Sequence, residues 1–398
     1  LIVGCLSWWT VRCRLTEWFG RLILRGTVAD EGSGSPNRDS VEINVLLIQR
    51  INMSPTNSFK KAIQDPSAAV QYLWKEPWNQ IKRRIPHEVG VQGSYETGNI
   101  GDRALGEQFK SRFQQEGYQT RLFGRRTTTS NASTRVLGGG GVLHDWYGTE
   151  HLEKRLKYVN SGEKKLILGV GVPGFKSERA RSLASQILPK MDVITVRDER
   201  SKSNIEAVCD ADVTVTADPV FLYDDPKAET IGRTGVNFRP YFDEKDDMSD
   251  DVLKEYFEYD DIEGATAAYI DNAQQICQQV EDPIFIPFTP GDEEFAQKFL
   301  DIPIIDYEFS VQKTLKQVSE MERMVATRYH SLIFAGICGK PVLPIAYEPK
   351  VEQVAERLDV PYYKPHKEVA IDFKPVSNVK ELRIAAQENF QIAFQALS

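Results

Sequence analysis

Short apolar runs alternate with helical patterns along the chain from residue 86 onward. A helix is predicted after Asp102, because Leu105, Phe109 and Phe113 recur at four-residue spacing before Gly117. Such alternation is typical of a parallel sheet covered by helices, and continuous apolar runs indicate strands buried on both faces. The predicted strands of this first series lie at 87–91, 118–123, 135–137, 165–170, 193–196 and 213–216, and a second helix is predicted at 177–188.

A second series begins after the polar, acidic stretch at 223–233. Its predicted strands lie at 235–238, 284–288, 304–305, 324–327 and 342–345, and its helices at 265–280, 292–300, from residue 331, and at 379–397. The pattern predicts an α/β protein of two Rossmann-like, doubly wound domains facing across a cleft at the carboxyl ends of their strands. We predict these domains at 86–225 and 226–378, followed by a closing helix at 379–398.

The residues before this pattern are predicted to lie outside the two domains. We expect 1–45 to be a disordered or non-native extension and 46–85 a helical lead-in. Arginines interrupt the aromatic-rich first 26 residues, so no apolar run reaches the ~20 residues of a membrane span. The alternative is an amphipathic helix at a membrane surface, which would give peripheral membrane association.

Charge and cysteine content exclude several classes of function. The 398 residues carry a formal net charge of -8, which disfavours binding to nucleic acid, so an anionic substrate would need a local cluster of cations. The five cysteines show no CxxC spacing, so we expect neither a disulfide framework nor a zinc site. Cys209, Cys277 and Cys338 lie in apolar or helical surroundings typical of buried thiols in a reducing compartment, and we expect a cytoplasmic enzyme with no metal and no bound cofactor.

Two glycine-containing segments follow predicted strands of the first series. Asn99 and Asp102 lie in the segment 98–103, where glycines allow a ligand close to the backbone, although spacing alone favours a tight turn with Asp102 as helix cap. Gly139 and Gly140 lie in a run of four glycines, which suggests that a ligand such as a sugar lies close to the backbone. The alternative interpretation is a flexible loop. His144 and Asp145 follow this run directly.

Cations follow strands of both series. Arg197 and Arg239 come directly after apolar runs, and the alternative for Arg197 is a solvated charge run. Arg328, His330 and Ser331 lie between an apolar strand and an apolar helix. A guanidinium, an imidazole and the free N–H groups of a helix N-terminus together form an anion site, although a lone histidine is more often structural.

The order of these segments resembles the polysaccharide pyruvyl transferase family. The resemblance covers about residues 86–365, and each motif is loose while the ordered set is fairly specific. The matching segments are 98–102, 138–141, 169–172, 196–201, 217–221, 237–240, 328–331 and 347–351. Members often carry a histidine after the strand at 284–288, where this chain has Thr289, and residues 1–85 have no counterpart.

The resemblance implies a GT-B-like fold with the acceptor on the N-terminal and the donor on the C-terminal domain. It implies phosphoenolpyruvate as donor, held by Arg197, Arg328 and His330, and a glycan or lipid-linked sugar as acceptor. Arg239 and Ser331 are further donor-binding candidates. The acceptor-binding candidates are Asn99, Asp102, Gly139, Gly140, His144 and Asp145.

Ketal formation from phosphoenolpyruvate needs a general acid, a base and charge stabilisation. His330 and Asp102 are the candidates for acid–base work, and no step demands a metal. Two other functions stay open. A glycosyltransferase with a nucleotide-sugar donor would use Arg328 and the following helix for a diphosphate. A non-catalytic anion-sensing protein would bind a phosphorylated ligand without turnover.

Overall fold

The computed structural model of the protein describes residues 87–240 and 261–398. The predicted extension at 1–45 and the helical lead-in at 46–85 lie outside these residues. In the described part of the chain, ten strands form two sheets in which every paired strand is parallel. The predicted α/β class with parallel sheets is therefore confirmed.

The first sheet has the strand order β2-β1-β3-β4-β5-β6. Its strands are β1 (Val89–Gly93), β2 (Thr120–Gly124), β3 (Thr134–Gly141), β4 (Lys164–Gly171), β5 (Val193–Val196) and β6 (Thr214–Val215). Its helices are α1 (Ile100–Gln115), α2 (Thr149–Asn160), α3 (Glu178–Ile187) and α4 (Glu199–Glu206), with short 3₁₀ turns at Leu188–Lys190 and Pro219–Leu222. Every residue of β1 and β5 is buried, as the continuous apolar runs predict.

The second sheet has the strand order β10-β9-β7-β8. Its strands are β7 (Thr234–Asn237), β8 (Pro283–Phe285), β9 (Arg323–Ala326) and β10 (Val342–Pro344). Its helices are α5 (Ile262–Gln279), α6 (Pro290–Phe299), α7 (Val311–Glu320), α8 (Tyr329–Ile337) and α9 (Pro349–Arg357), and α10 (Val379–Leu397) closes the chain. No described helix is long and apolar enough to cross a membrane.

The closing helix α10 returns to the first sheet. Phe390 packs against Phe109 and Phe113 of α1, with ring centroids 5.5 and 6.2 Å apart. The buried Asn389 accepts a hydrogen bond from Thr216 Oγ1 at 2.8 Å and donates one to the Ala217 carbonyl at 2.8 Å. All described residues belong to one compact unit, and the predicted domain boundary between 225 and 226 stays a prediction.

Several boundaries differ from the predictions. The glycine run belongs to β3, so it is neither a flexible loop nor a turn. Helix α1 begins at Ile100 with Asn99 as its N-cap, so the prediction of Asp102 as the cap is wrong. The predicted strand at 304–305 forms a single bridge from Ile304 to Phe285. The sequence analysis did not predict α2, α4, α7 and α9. In α2, α7 and α9 apolar residues do recur at three- and four-residue spacing, as Val311, Leu315 and Val318 do in α7.

Candidate functional site

A cavity of about 210 Å³ lies where the carboxyl ends of strands from both sheets meet. Its lining comes from the end of β3 and from the segments after β1, β3, β4 and β5 of the first sheet and after β7, β8, β9 and β10 of the second. Nine of the eleven site residues predicted from the sequence line it, namely Asn99, Asp102, Gly139, Gly140, His144, Arg197, Arg239, Arg328 and His330. The other two, Asp145 and Ser331, are not among its lining residues.

Arg328 is fixed by a buried carboxylate that sequence reasoning missed. It is the N-cap residue of α8, and its Nε donates to both oxygens of Asp292, at 2.8 and 2.7 Å. Its Nη2 donates to Thr289 Oγ1 at 2.9 Å. Asp292 is fully buried and also accepts from the backbone N–H of Phe288. Thr289, the point of departure from the family pattern, therefore helps to orient Arg328.

Arg197 follows β5 and is held between a carboxylate and an aromatic ring. Its Nη1 donates to Asp218 Oδ2 at 3.2 Å, and its guanidinium lies 4.0 Å from the centroid of the Tyr329 ring. Burial opposes its charge, but Tyr329, Asp218 and Asp198 together raise its pKa above the ordinary arginine value. A Cβ at position 171 would lie 2.8 Å from this guanidinium, so Gly171 leaves the space that Arg197 fills.

His330, in the first turn of α8, lies against the N-terminus of α1. A Cβ at position 101 would lie only 1.9 Å from His330 Nδ1, so only glycine at 101 permits this approach. His330 Nε2 lies 3.7 Å from Asp218 Oδ2 and, among the described residues, has no hydrogen-bond partner. Burial opposes ionisation of Asp218, yet the neighbouring His330 and Arg197 lower its pKa, so it stays a carboxylate.

Arg239 lies beside two further charged residues that are not among the eleven site residues predicted from the sequence. Glu348 Oε1 lies 3.6 Å from Arg239 Nη1 and 2.6 Å from Lys350 Nζ, and both Glu348 and Lys350 line the cavity. The Arg239 guanidinium lies 4.2 Å from the ring centroid of Tyr347. The sequence held one signal for Glu348 and Lys350. Pro349 lies between them after an apolar strand, and proline is favoured at the first position of a helix, so a helix start at this strand's carboxyl end could have been predicted.

Asn99 and Asp102 form the part of the cavity contributed by α1. The Asn99 side chain accepts from the N–H groups of Gly101 and Asp102, at 2.9 and 3.3 Å, so its amide oxygen caps the helix. Asp102 Oδ2 accepts from Thr97 Oγ1 at 3.2 Å. Burial raises the pKa of Asp102, against the opposing charges of His330, Lys350 and Arg328. Asp102 therefore holds a proton more readily than an exposed carboxyl does.

The glycines of β3 form a part of the cavity wall that carries no side chains. Gly139 and Gly140 have φ angles of +63° and +77°, a backbone region that other residues rarely adopt. A side chain on Gly139 would also contact Leu105 at 2.6 Å. The glycine run therefore combines a special backbone path with close packing on α1.

His144 is an uncharged member of the site. Burial and the adjacent Arg155 lower its pKa to about 3. Its Nδ1 accepts from the backbone N–H of Trp146 at 3.3 Å, and its ring lies beside those of Trp146 and Tyr147, both of which line the cavity. Tyr147 keeps 42% of its surface exposed, so the aromatic pair extends from the cavity to its mouth.

The side chains of Asp145 and Ser331 form hydrogen bonds with backbone groups and do not line the cavity. The Asp145 carboxylate accepts from the N–H groups of Lys176 and Ser177, at 2.8 and 2.9 Å, just before α3. Ser331 Oγ donates to the Arg328 carbonyl at 2.8 Å. This geometry does not support acceptor binding by Asp145 or donor binding by Ser331. Within 87–240 and 261–398, no group of three or more His, Cys, Asp or Glu residues could hold a metal ion.

The family model described as polysaccharide pyruvyl transferase matches residues 99–349 of the chain. The chain belongs to the polysaccharide pyruvyl transferase family. The match includes all eleven site residues predicted from the sequence and ends one residue before Lys350. A search of curated protein sequences gives no match.

Solved structures similar to this pyruvyl transferase family member share little sequence with it. A protein of Klebsiella pneumoniae subsp. pneumoniae, described as functionally uncharacterised, is 14% identical with a TM-score of 0.42, over 75% of this chain and 99% of that one. An α-glucosyltransferase in complex with UDP is 11% identical with a TM-score of 0.32, over 78% and 95%. The wall teichoic acid polymerase TagF is 11% identical with a TM-score of 0.31, over 86% and 93%.

Proposed function

We propose that this protein transfers the enolpyruvyl group of phosphoenolpyruvate to two hydroxyls of a glycan sugar, forming a pyruvate ketal and releasing phosphate. In this proposal the two sheets belong to Rossmann-like domains that face each other across a cleft in the GT-B manner. The supporting observation is the convergence of Arg197, Arg239, Arg328, Lys350 and His330 on one cavity of an acidic protein.

The donor side of the proposal rests on fixed cations. Phosphoenolpyruvate carries a carboxylate and a phosphate, which suit the planar donor forks of arginine. Arg197 is hydrogen-bonded to Asp218, and Arg328 to Asp292. Neither guanidinium therefore needs to reorganise when the donor binds. We assign the phosphate to Arg328 and His330 at the N-terminus of α8, and the carboxylate to Arg197 and Arg239.

Asp102 is the proposed general acid. Its raised pKa favours the protonated form, which can deliver a proton to the methylene carbon of the donor. The carbon that carries the phosphate then accepts the first sugar hydroxyl, whose proton returns to Asp102. The second hydroxyl displaces phosphate, and His330 passes its proton to the leaving group. One donor and one diol therefore yield one ketal and one inorganic phosphate, with no net change in protons held by the protein.

The acceptor side of the proposal rests on uncharged groups. Gly139 and Gly140 leave room for a sugar against the backbone, and the neutral His144 can exchange hydrogen bonds with hydroxyls. Trp146 and Tyr147 offer apolar ring surface at the cavity. We therefore expect a glycan or lipid-linked sugar as acceptor, with no metal and no bound cofactor, and a reaction in the cytoplasm.

The deciding experiment incubates the purified protein with phosphoenolpyruvate and a panel of galactosides, N-acetylmannosaminides and glucosides. Phosphate release that depends on one sugar, with a product mass gain matching a pyruvyl ketal, is the expected result. Asp102→Asn provides the matched inactive control. Thermal stabilisation by a nucleoside diphosphate but not by phosphoenolpyruvate would overturn the proposal in favour of the nucleotide-sugar glycosyltransferase.

A further inference from the structure

Helix α9 contacts both the charged cavity residues and the backbone that carries Arg197. Its N-terminal end holds Lys350 at the cavity, and its C-terminal end holds Arg357. Arg357 Nη1 donates to the carbonyl of Arg197 and, at 2.8 Å, to that of Thr216. These two carbonyls lie at the carboxyl ends of β5 and β6. One guanidinium from the second half of the chain therefore joins two strand ends of the first sheet.

A second contact lies between these two ends of α9. With its side-chain nitrogen turned toward Asp198, Gln353 lies 3.1 Å from both oxygens of that carboxylate. Asp198 in turn caps α4 by accepting from Ser201 N–H at 2.7 Å, and lies 3.6 Å from Arg197 Nε. Helix α9 thus contacts the residues at 197–198 through a backbone carbonyl and through a carboxylate.

The guanidinium of Arg197 depends on this backbone for its position. Its Nη1 donates a hydrogen bond to Asp218 at 3.2 Å, and its buried Nε has no hydrogen-bond partner among the described residues. A shift of the β5 carboxyl end would therefore move the guanidinium away from Asp218 and from the Tyr329 ring. Small displacements of a binding group cost affinity steeply when its partners are fixed.

We propose that Arg357 is a positioning residue that holds Arg197 in its donor-binding place and, through α9, couples it to Lys350. This inference rests on the proposed function, because it takes phosphoenolpyruvate as the ligand of Arg197. Arg357 does not line the cavity, so its effect on the donor is indirect.

The test is calorimetric titration of the full chain with phosphoenolpyruvate. Arg357→Ala removes a charged donor from two carbonyls, and we expect the dissociation constant to rise about tenfold. Arg357→Lys keeps one charged donor and should give an intermediate value, and it remains informative if the alanine variant does not fold. Millimolar methylguanidinium should restore part of the lost affinity of Arg357→Ala by refilling the vacated position.

Arg383→Ala is the matched control. Arg383 of α10 also donates to a backbone carbonyl of the first half, that of Tyr223 at 2.7 Å, but does not contact the residues at 197–198. We expect it to lower the melting temperature while leaving the affinity for phosphoenolpyruvate unchanged. Wild-type affinity in Arg357→Ala, or an equal loss in Arg383→Ala, would overturn the inference alone. A wild-type chain that does not bind phosphoenolpyruvate would overturn the proposed function and this inference with it.

Discussion

The two walls of the cavity differ in how they would bind a ligand. The wall from the second sheet carries the cations Arg239, Arg328 and Lys350, each within 3.6 Å of a buried carboxylate. The wall from the first sheet presents glycine backbone and the neutral His144. A charged wall fixed by acids suits an anionic donor, whereas a bare, uncharged wall suits a sugar.

Arg197 is an exception to this division by sheet, because it follows a strand of the first sheet but belongs with the cations of the second. It comes from the first sheet, yet its guanidinium stacks on Tyr329 of α8. The charged wall is therefore completed by a residue from the other half of the chain, and it requires both halves to be in place.

The largest effect is expected from Arg328→Ala. Removing one partner of a buried ion pair leaves the fully buried Asp292 uncompensated, which should lower the free energy of unfolding by about 3–5 kcal/mol. Urea denaturation measures that loss, and calorimetry should show no binding of phosphoenolpyruvate. The double variant Arg328→Met/Asp292→Leu should regain part of the lost stability without regaining binding, because the Phe288 N–H also loses its acceptor. Donor binding by the double variant would show that the charged wall does not hold the donor.

Asp102→Asn separates catalysis from donor binding. The amide keeps the size of the carboxyl and its contact with Thr97 but cannot give up a proton, so turnover should fall by about 10²–10⁴-fold. The affinity for phosphoenolpyruvate should stay equal, because the proposed protonated form of Asp102 is uncharged, as the amide is.

The pH dependence gives Asp102 a second signature. A folded-state pKa raised by burial means that stability is greatest below the ordinary carboxyl pKa and is lost as pH rises from there to the raised pKa of Asp102. Asp102→Asn should therefore be more stable than wild type at neutral pH, and in wild type the rate should fall as pH rises through the same range. Unchanged turnover in the variant would remove Asp102 from the mechanism.

Gly101→Ala tests the contact that joins the two walls. The added methyl would lie 1.9 Å from His330 Nδ1, so α1 or the imidazole must shift. Overpacking of this kind costs about 1–3 kcal/mol, and we expect weaker donor binding as well, measured by denaturation and calorimetry. Gly124→Ala is the control, since a Cβ there meets no atom within 4 Å. Equal effects of the two substitutions would show that the contact at residue 101 has no special role.

The sequence predicted the sheets and most of the cavity because both depend on local signals. Apolar runs marked the buried strands, and a polar residue directly after such a run lies at a strand's carboxyl end, as Arg197 and Arg239 do. The partners of these cations were not predictable in this way. Asp292 reaches Arg328 across 36 residues and Asp218 reaches Arg197 across 21, so only the folded arrangement identifies them.

Asp145 shows what such local signals leave open. Its position after the glycine run suggested a ligand contact, but its carboxylate accepts backbone hydrogen bonds from residues 176 and 177. A carboxylate that satisfies the start of a distant helix has the same local sequence context as one that faces a substrate. Only the long-range pairing separates the two roles, and no periodicity in the sequence reports it.

The smallest effect is expected at His144, and it appears only in acid. The folded-state pKa of about 3 lies below the ordinary value of about 6.5, so the unfolded chain takes up a proton that the native state resists. The associated stability is complete above about pH 6.5 and is lost as pH falls toward about 3, and the loss amounts to about 1.4 kcal/mol near pH 5.5. His144→Asn keeps an acceptor for Trp146 N–H but cannot titrate, so it should lose less stability than wild type between about pH 6.5 and 4.5. His366→Asn, at a partly exposed site, should change this pH dependence less.

If wild type and His144→Asn lose stability equally, His144 is protonated in the native state in acid. The first wall would then become cationic at low pH, and the contrast between the two walls would hold only near neutrality.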